Sequence, residues 1–131
     1  MADRVVLSVP ARGEYAKTVR LTASSLATRA GMTFAEVEEM RMAAEEAFVF
    51  VCDRVDEGVA VDIVFTVADD EVVMEAGPVT GTGAADDDAV QRGEYARFIL
   101  EAVCDELELE AAGAECRVRL VKRSVKDAAG A

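Results

Sequence analysis

Two adjacent carboxylates, Glu45 and Glu46, stand inside the apolar run AAEEAFVFV at residues 43–51. A carboxylate held among apolar neighbours has its proton affinity raised and can work as a general base or acid. The same pair on a solvated helix face would be ordinary surface charge. Spacing separates the two acids. At about 100° per residue, Val37, Met40, Ala44, Ala47, Phe48, Val51 and Val55 share one face, which is expected to pack on a sheet. Glu39, Met42, Glu46, Val49, Phe50 and Asp53 fall on the opposite side, and Glu45 lies between the two as a flank charge. Large apolar residues beside Glu46 require a cover, either a ligand, a partner or the loop at 77–92 folded over them.

Other chemistries are excluded by composition. The chain has no histidine, which removes Ser-His-Asp and Cys-His machinery and the common zinc sites. Cys52, Cys104 and Cys116 have no CxxC spacing and read as reduced, mostly buried thiols of a cytoplasmic protein. A net charge of −12 with only 14 basic residues leaves no stripe of cations for a nucleic-acid backbone. It suits a basic protein partner or simply solubility. The N-terminus has no apolar signal core, and no run approaches the roughly 20 residues of a membrane span.

The elements that must position these residues are legible from pattern. RVVLSVP alternates as a strand that ends at Pro10. From Glu14, the residues Tyr15, Val19, Ala23, Leu26 and Ala30 recur at helical spacing, and Gly31 follows as a cap. Thr33 and Glu36 form a capping box, with Met32 placed to staple onto Val37, so the second helix starts there and runs to about Asp56. VAVDIVFTV and EVVMEA read as two strands joined at Asp69–Asp70. Residues 77–92, rich in Gly and Asp, read as a long loop or lid, and Asp88 with Gln91 as the cap of a helix that turns Tyr95, Phe98, Ile99, Ala102 and Val103 inward. LELEA and ECRVRLV close the chain as a hairpin around Gly113, and the residues beyond it, from Lys122 or from Ser124, read as a frayed tail. The expectation is one domain over 1–123 with a flexible tail at 124–131. Its order, β-α-α-β-β-lid-α-β-β, gives an α/β two-layer sandwich, a mostly antiparallel sheet with helices on one face.

The segment VRLTASSLATRAGMTFAEVEEMRMAAEEAFVFV, followed by DEVVMEAG and YARFILEAVCDELEL, resembles the bacterial anti-sigma-factor serine kinases, a branch of the GHKL (histidine kinase-like) ATPase superfamily. The resemblance spans roughly residues 4–121 and implies that family's fold, the same element order, and usually a homodimer. It also assigns positions. Glu46 falls where the family has the Glu that orients or activates the attacking hydroxyl. Phe50 falls where the family has an Asn that holds Mg²⁺, and a phenyl ring offers the metal no oxygen. Glu75 and Gly77 occupy the adenine-binding Asp-x-Gly positions, with Glu longer by one methylene, and Val79 replaces a second glycine. Of the glycines that open the last helix only Gly93 remains, one position early, among Asp86, Asp87, Asp88 and Glu94, which oppose phosphate. Arg20 falls at a basic partner-contact position, and an ordinary exposed helix arginine explains it equally well.

The resemblance therefore implies a regulator that binds and sequesters a sigma factor, with vestigial nucleotide motifs, no metal and no working cofactor. ATP and Mg²⁺ enter only if the degenerate site functions. Two alternatives stay open. One is an active serine protein kinase acting on an anti-anti-sigma protein, with Asp53 as a substitute metal ligand. The other is a non-catalytic dimerisation or scaffold module.

Overall fold

In a computed structural model, which describes residues 2–81, 86–111 and 115–125, the chain forms a five-stranded antiparallel sheet under three helices. Strand β1 (Asp3–Pro10) leads through a single 3-10 turn (Gly13–Tyr15) into α1 (Ala16–Arg29) and then α2 (Phe34–Cys52). Strands β2 (Ala60–Val67) and β3 (Glu71–Thr80) precede α3 (Asp87–Val103), and β4 (Glu106–Glu110) with β5 (Glu115–Arg123) completes the sheet. The strand order is β1-β2-β3-β5-β4.

Register explains the two layers. Val5, Phe65, Met74, Leu120 and Leu107 lie in one row across all five strands. Phe65, Met74 and Leu120 in that row are fully buried beneath the helices. The next row, Val6, Val64, Glu75, Arg119 and Glu108, belongs to the other face because strand side chains alternate. That outer face carries a charge lattice. Arg117, Arg119 and Arg123 of β5 stand between glutamates of β4 (Glu106, Glu108, Glu110) and of β3 (Glu71, Glu75).

α2 lies between its neighbours because its sequence gives it two apolar flanks. Met40, Ala44, Ala47, Phe48 and Val51 are buried, as the wheel predicts, and Ala43 and Phe50 are buried as well. The capping box is present: Thr33 Oγ1 accepts from Glu36 N–H (3.2 Å), and Glu36 Oε1 accepts from Thr33 N–H (2.8 Å). Glu36 does more than cap. It is 4% exposed, accepts from Ser124 Oγ (3.1 Å) and from Val125 N–H (2.6 Å), and so anchors the end of the last strand.

Three expectations need correction. Residues 77–80 are not loop: β3 continues to Thr80 through a bulge between Ala76 and Val79, where Gly77 adopts φ +89°. A Cβ on Gly77 would stand 2.6 Å from the Cys116 carbonyl oxygen, so the glycine answers a backbone contact. The connection to α3 is therefore short, Asp86 caps α3 by accepting from Ala89 N–H (2.7 Å) in place of Asp88, and residues 82–85 of the expected lid lie outside the described residues. Second, α3 buries Ala89, Gly93, Ala96 and Leu100, and leaves Tyr95 and Phe98 exposed. Third, Lys122 and Arg123 belong to β5 and Ser124 is buried, so the chain is ordered into Val125; residues 126–131 of the expected tail, like Gly113, lie outside the described residues.

Candidate functional site

The C-terminal half of α2 and the first turns of α3 form the site. Phe50 is 6% exposed. Among the described residues its cover is Arg54, one turn further along, and the start of α3. The Arg54 guanidinium lies 3.7 Å from the centre of the Phe50 ring. It also donates to the Phe50 carbonyl oxygen (3.0 Å) and to the Ala89 carbonyl oxygen (3.4 Å). The cation thus closes the C-terminal end of α2, where orphan carbonyls and the helix dipole favour positive charge. Gly93 makes room for it: a Cβ there would stand 2.3 Å from Arg54 Nη2 and 3.5 Å from Phe50 Cε2.

Asp53 is locked beside this group. Arg92 of α3 grips it with two bonds, Nε to Oδ2 at 2.9 Å and Nη2 to Oδ1 at 3.0 Å. Both carboxylate oxygens are taken, which opposes the use of Asp53 as a substitute metal ligand. Among the described residues, no three metal-capable His, Cys, Asp or Glu side chains stand together. Mg²⁺ commonly takes one or two protein oxygens and completes its shell with water and phosphate, and the Phe50 ring offers it none.

Glu46 sits one turn before Phe50 and is half-buried. Burial first, and the negative charge of Glu45 second, push its carboxyl above the ordinary value. That is the direction a general base requires. Glu45 itself faces α1, where Arg20 donates to it in an ion pair. Arg20 is thus not a free cation: it ties α1 to α2.

The remaining candidates separate. Gly93 lies against Phe50, but Glu75 does not join them. It alternates with the buried Met74 and Ala76, points from the outer face, and pairs with Arg117 at 3.2 Å. Gly77 serves the bulge. A cleft of about 240 Å³ remains beside the plug, lined by Phe50, Arg54, Val90, Gly93, Glu94 and Arg97. This is below the roughly 300–1,000 Å³ of pockets that enclose a drug-sized ligand. Sequence reading missed Arg54 and Arg92. The Phe50–Arg54 spacing of one helical turn was a usable signal for the first; nothing local marks the second.

The antiparallel five-stranded sheet, three helices on one face and this element order define a two-layer α/β domain, an arrangement consistent with a GHKL-like fold. The chain is similar to bacterial proteins named serine-protein kinase RsbW. The protein named serine-protein kinase RsbW from Halalkalibacterium halodurans is 28% identical to it, over 82% of this chain and 76% of the relative. RsbW of Bacillus subtilis is also 28% identical, over 83% and 79% of the two chains. RsbW of Listeria monocytogenes is 38% identical over a shorter segment, 36% of this chain and 30% of its own. No family profile matches the chain. No helix among the described residues is long and apolar enough to cross a membrane.

Proposed function

We propose that the protein is an anti-sigma regulator that holds a sigma factor by direct contact, acts in the cytoplasm as a homodimer, and does so without nucleotide. The observation that carries this reading is the Phe50–Arg54 plug. Where the homologous family places a metal-holding Asn, this chain has a buried ring with its own guanidinium seated on it. Phosphoryl transfer depends on a metal to neutralise developing charge; the Phe50 ring offers that metal no oxygen, and the Asp53 carboxylate is held by Arg92. Binding is the family role that survives. The partner implied is a sigma factor, and an anti-anti-sigma protein would compete with it for this chain.

The test has two arms. Calorimetry with ATP, with and without Mg²⁺, should give no metal-dependent binding at micromolar concentrations. A purified sigma factor from the same cell should bind the nucleotide-free protein, with association slowing as salt shortens the Debye length to a few ångströms. Metal-dependent ATP affinity would overturn the closed-site reading. Failure of every sigma factor of the source cell to bind would leave scaffolding as the account.

One observation favours the kinase reading. Glu46 keeps the family's acid and has the raised proton affinity of a base. Transfer of labelled phosphate from ATP to an anti-anti-sigma protein, abolished by Glu46→Gln, would establish that activity.

A further inference from the structure

α3 carries an apolar patch that no described element covers. Tyr95 and Phe98 remain 61% and 69% exposed, while the helix packs on α2 through alanine and glycine. At about 100° per residue, they share a sector of about 140° with Asp87, Asp88, Gln91, Glu94, Glu101 and Ala102. No lysine or arginine falls inside it. Arg92 and Arg97 stand at its margins; Arg92 is committed to Asp53, and Arg97 lies 3.6 Å from Glu101. Among the described residues, Asp87, Asp88 and Glu94 have no salt-bridge partner. Two aromatic faces thus stand among four carboxylates.

Stability does not explain this arrangement. An exposed ring gains no burial energy, and Glu94 and Glu101 lie beyond the first turn, where the helix dipole would favour them. Recognition does. Aromatic faces and carboxylates both attract cations, and the rings add contact area for apolar side chains. We infer that the outward face of α3 is a docking surface for a Lys/Arg-rich amphipathic segment of a partner protein. The partner's cationic heads meet Asp87, Asp88, Glu94 and Glu101, and its apolar side chains lie on Tyr95 and Phe98. A second copy of this chain fits poorly, because four carboxylates would face four. Anionic lipid and nucleic acid are repelled for the same reason. The surface is separate from the Arg20 region, since α2 lies between α1 and α3.

The test uses the full chain and a synthetic peptide with Lys and Leu at helical spacing, so its outcome is independent of sigma-factor capture. Backbone amide shifts on titration should map to residues 87–102, and binding should weaken with added salt. Tyr95→Ser with Phe98→Ser should weaken it about tenfold or more, while the urea midpoint stays at the wild-type value. Glu94→Gln with Glu101→Gln, which keeps both rings, should reduce both affinity and its salt dependence. A same-length Glu–Leu peptide should not bind. The inference is overturned if the shifts map elsewhere, if both double variants bind like wild type, or if the Glu–Leu peptide binds equally. A concentration-dependent dimer lost in the Tyr95→Ser, Phe98→Ser protein would assign the face to a second copy instead.

Discussion

Arg20 of α1 and Glu45 of α2 form an ion pair across the helix–helix contact, with their side chains 31% and 34% exposed. A residue that the family resemblance marks as a partner contact is therefore already holding an internal partner. The pair is accessible enough that its contribution to stability is small, about 0.2–1 kcal/mol for such a bridge. An arginine has five donors, so Arg20 can keep Glu45 and still reach an acidic group on another protein.

The first prediction separates those roles. Arg20→Glu should lower stability by about 1 kcal/mol, because it loses one pair and sets two carboxylates side by side. Adding Glu45→Arg should restore the urea midpoint. Sigma-factor affinity should stay at least about tenfold weaker in the swapped protein, a difference of about 1.4 kcal/mol. Recovery of binding along with stability would reduce Arg20 to a helix-packing residue.

Phe50 supports a second prediction. Replacing it with Asn supplies the residue type that the family resemblance expects there, but removes a buried ring and strands an amide under Arg54. Phe50→Asn should cost about 2–4 kcal/mol in urea unfolding. It should not confer Mg²⁺-dependent ATP binding, since Arg54 and the Asp53–Arg92 pair still occupy the junction. A variant as stable as wild type would show that the ring contributes no packing.

Acid should act on two glutamates with opposite sign. Burial would raise the Glu36 carboxyl, but hydrogen bonds from Thr33, Val125 and Ser124 outweigh it and leave it below the ordinary value. Its stabilisation is present above the unfolded-state value of about 4.5 and is lost as pH falls through the lower folded value. Glu46 is raised, so it favours the fold while protonated, below that unfolded value, and this benefit is lost as pH rises through its folded value. Glu46→Gln should therefore stabilise the protein at pH 7 and give no gain under acid conditions. Glu36→Ala should cost about 1–2 kcal/mol at pH 7 through the lost cap and latch, with less penalty in acid. Urea midpoints across pH for the three proteins would check both signs.

What the sequence disclosed follows from how local each signal is. The capping box at Thr33 and Glu36 and the strand alternation of β2 depend on neighbours within a few residues, and both are present as expected. The end of β3 is hidden in the sequence because Gly77 and Pro78 look like breakers, whereas a bulge absorbs them inside the strand. The face of α3 differs from the pattern expected because large apolar side chains suggest burial. Close approach to α2 requires small residues, so Gly93 and Ala96 turn inward and Tyr95 and Phe98 outward. The alternation that buries Met74 also places Glu75 on the other face, away from Phe50, and that signal is legible in the sequence. The grip of Arg92 on Asp53 joins residues far apart in sequence and had no local signature.

The last prediction concerns Gly93 and Arg54. Glycine inside a helix ordinarily costs about 1 kcal/mol relative to alanine, so Gly93→Ala in an open setting should stabilise α3. Here the added Cβ would stand 2.3 Å from Arg54 Nη2, and the guanidinium must leave its place over Phe50 and between the Phe50 and Ala89 carbonyls. Those contacts are together worth on the order of 1–3 kcal/mol. Gly93→Ala should therefore be neutral to destabilising, by up to about 2 kcal/mol, in the wild-type background. In an Arg54→Ala background the same substitution should stabilise by about 1 kcal/mol, because the helix gains its propensity with nothing left to displace. The two changes should couple by at least about 1 kcal/mol in a double-mutant cycle on urea midpoints. Simple additivity would mean that Arg54 does not occupy the space Gly93 leaves, and the α2–α3 junction would be open to a ligand after all.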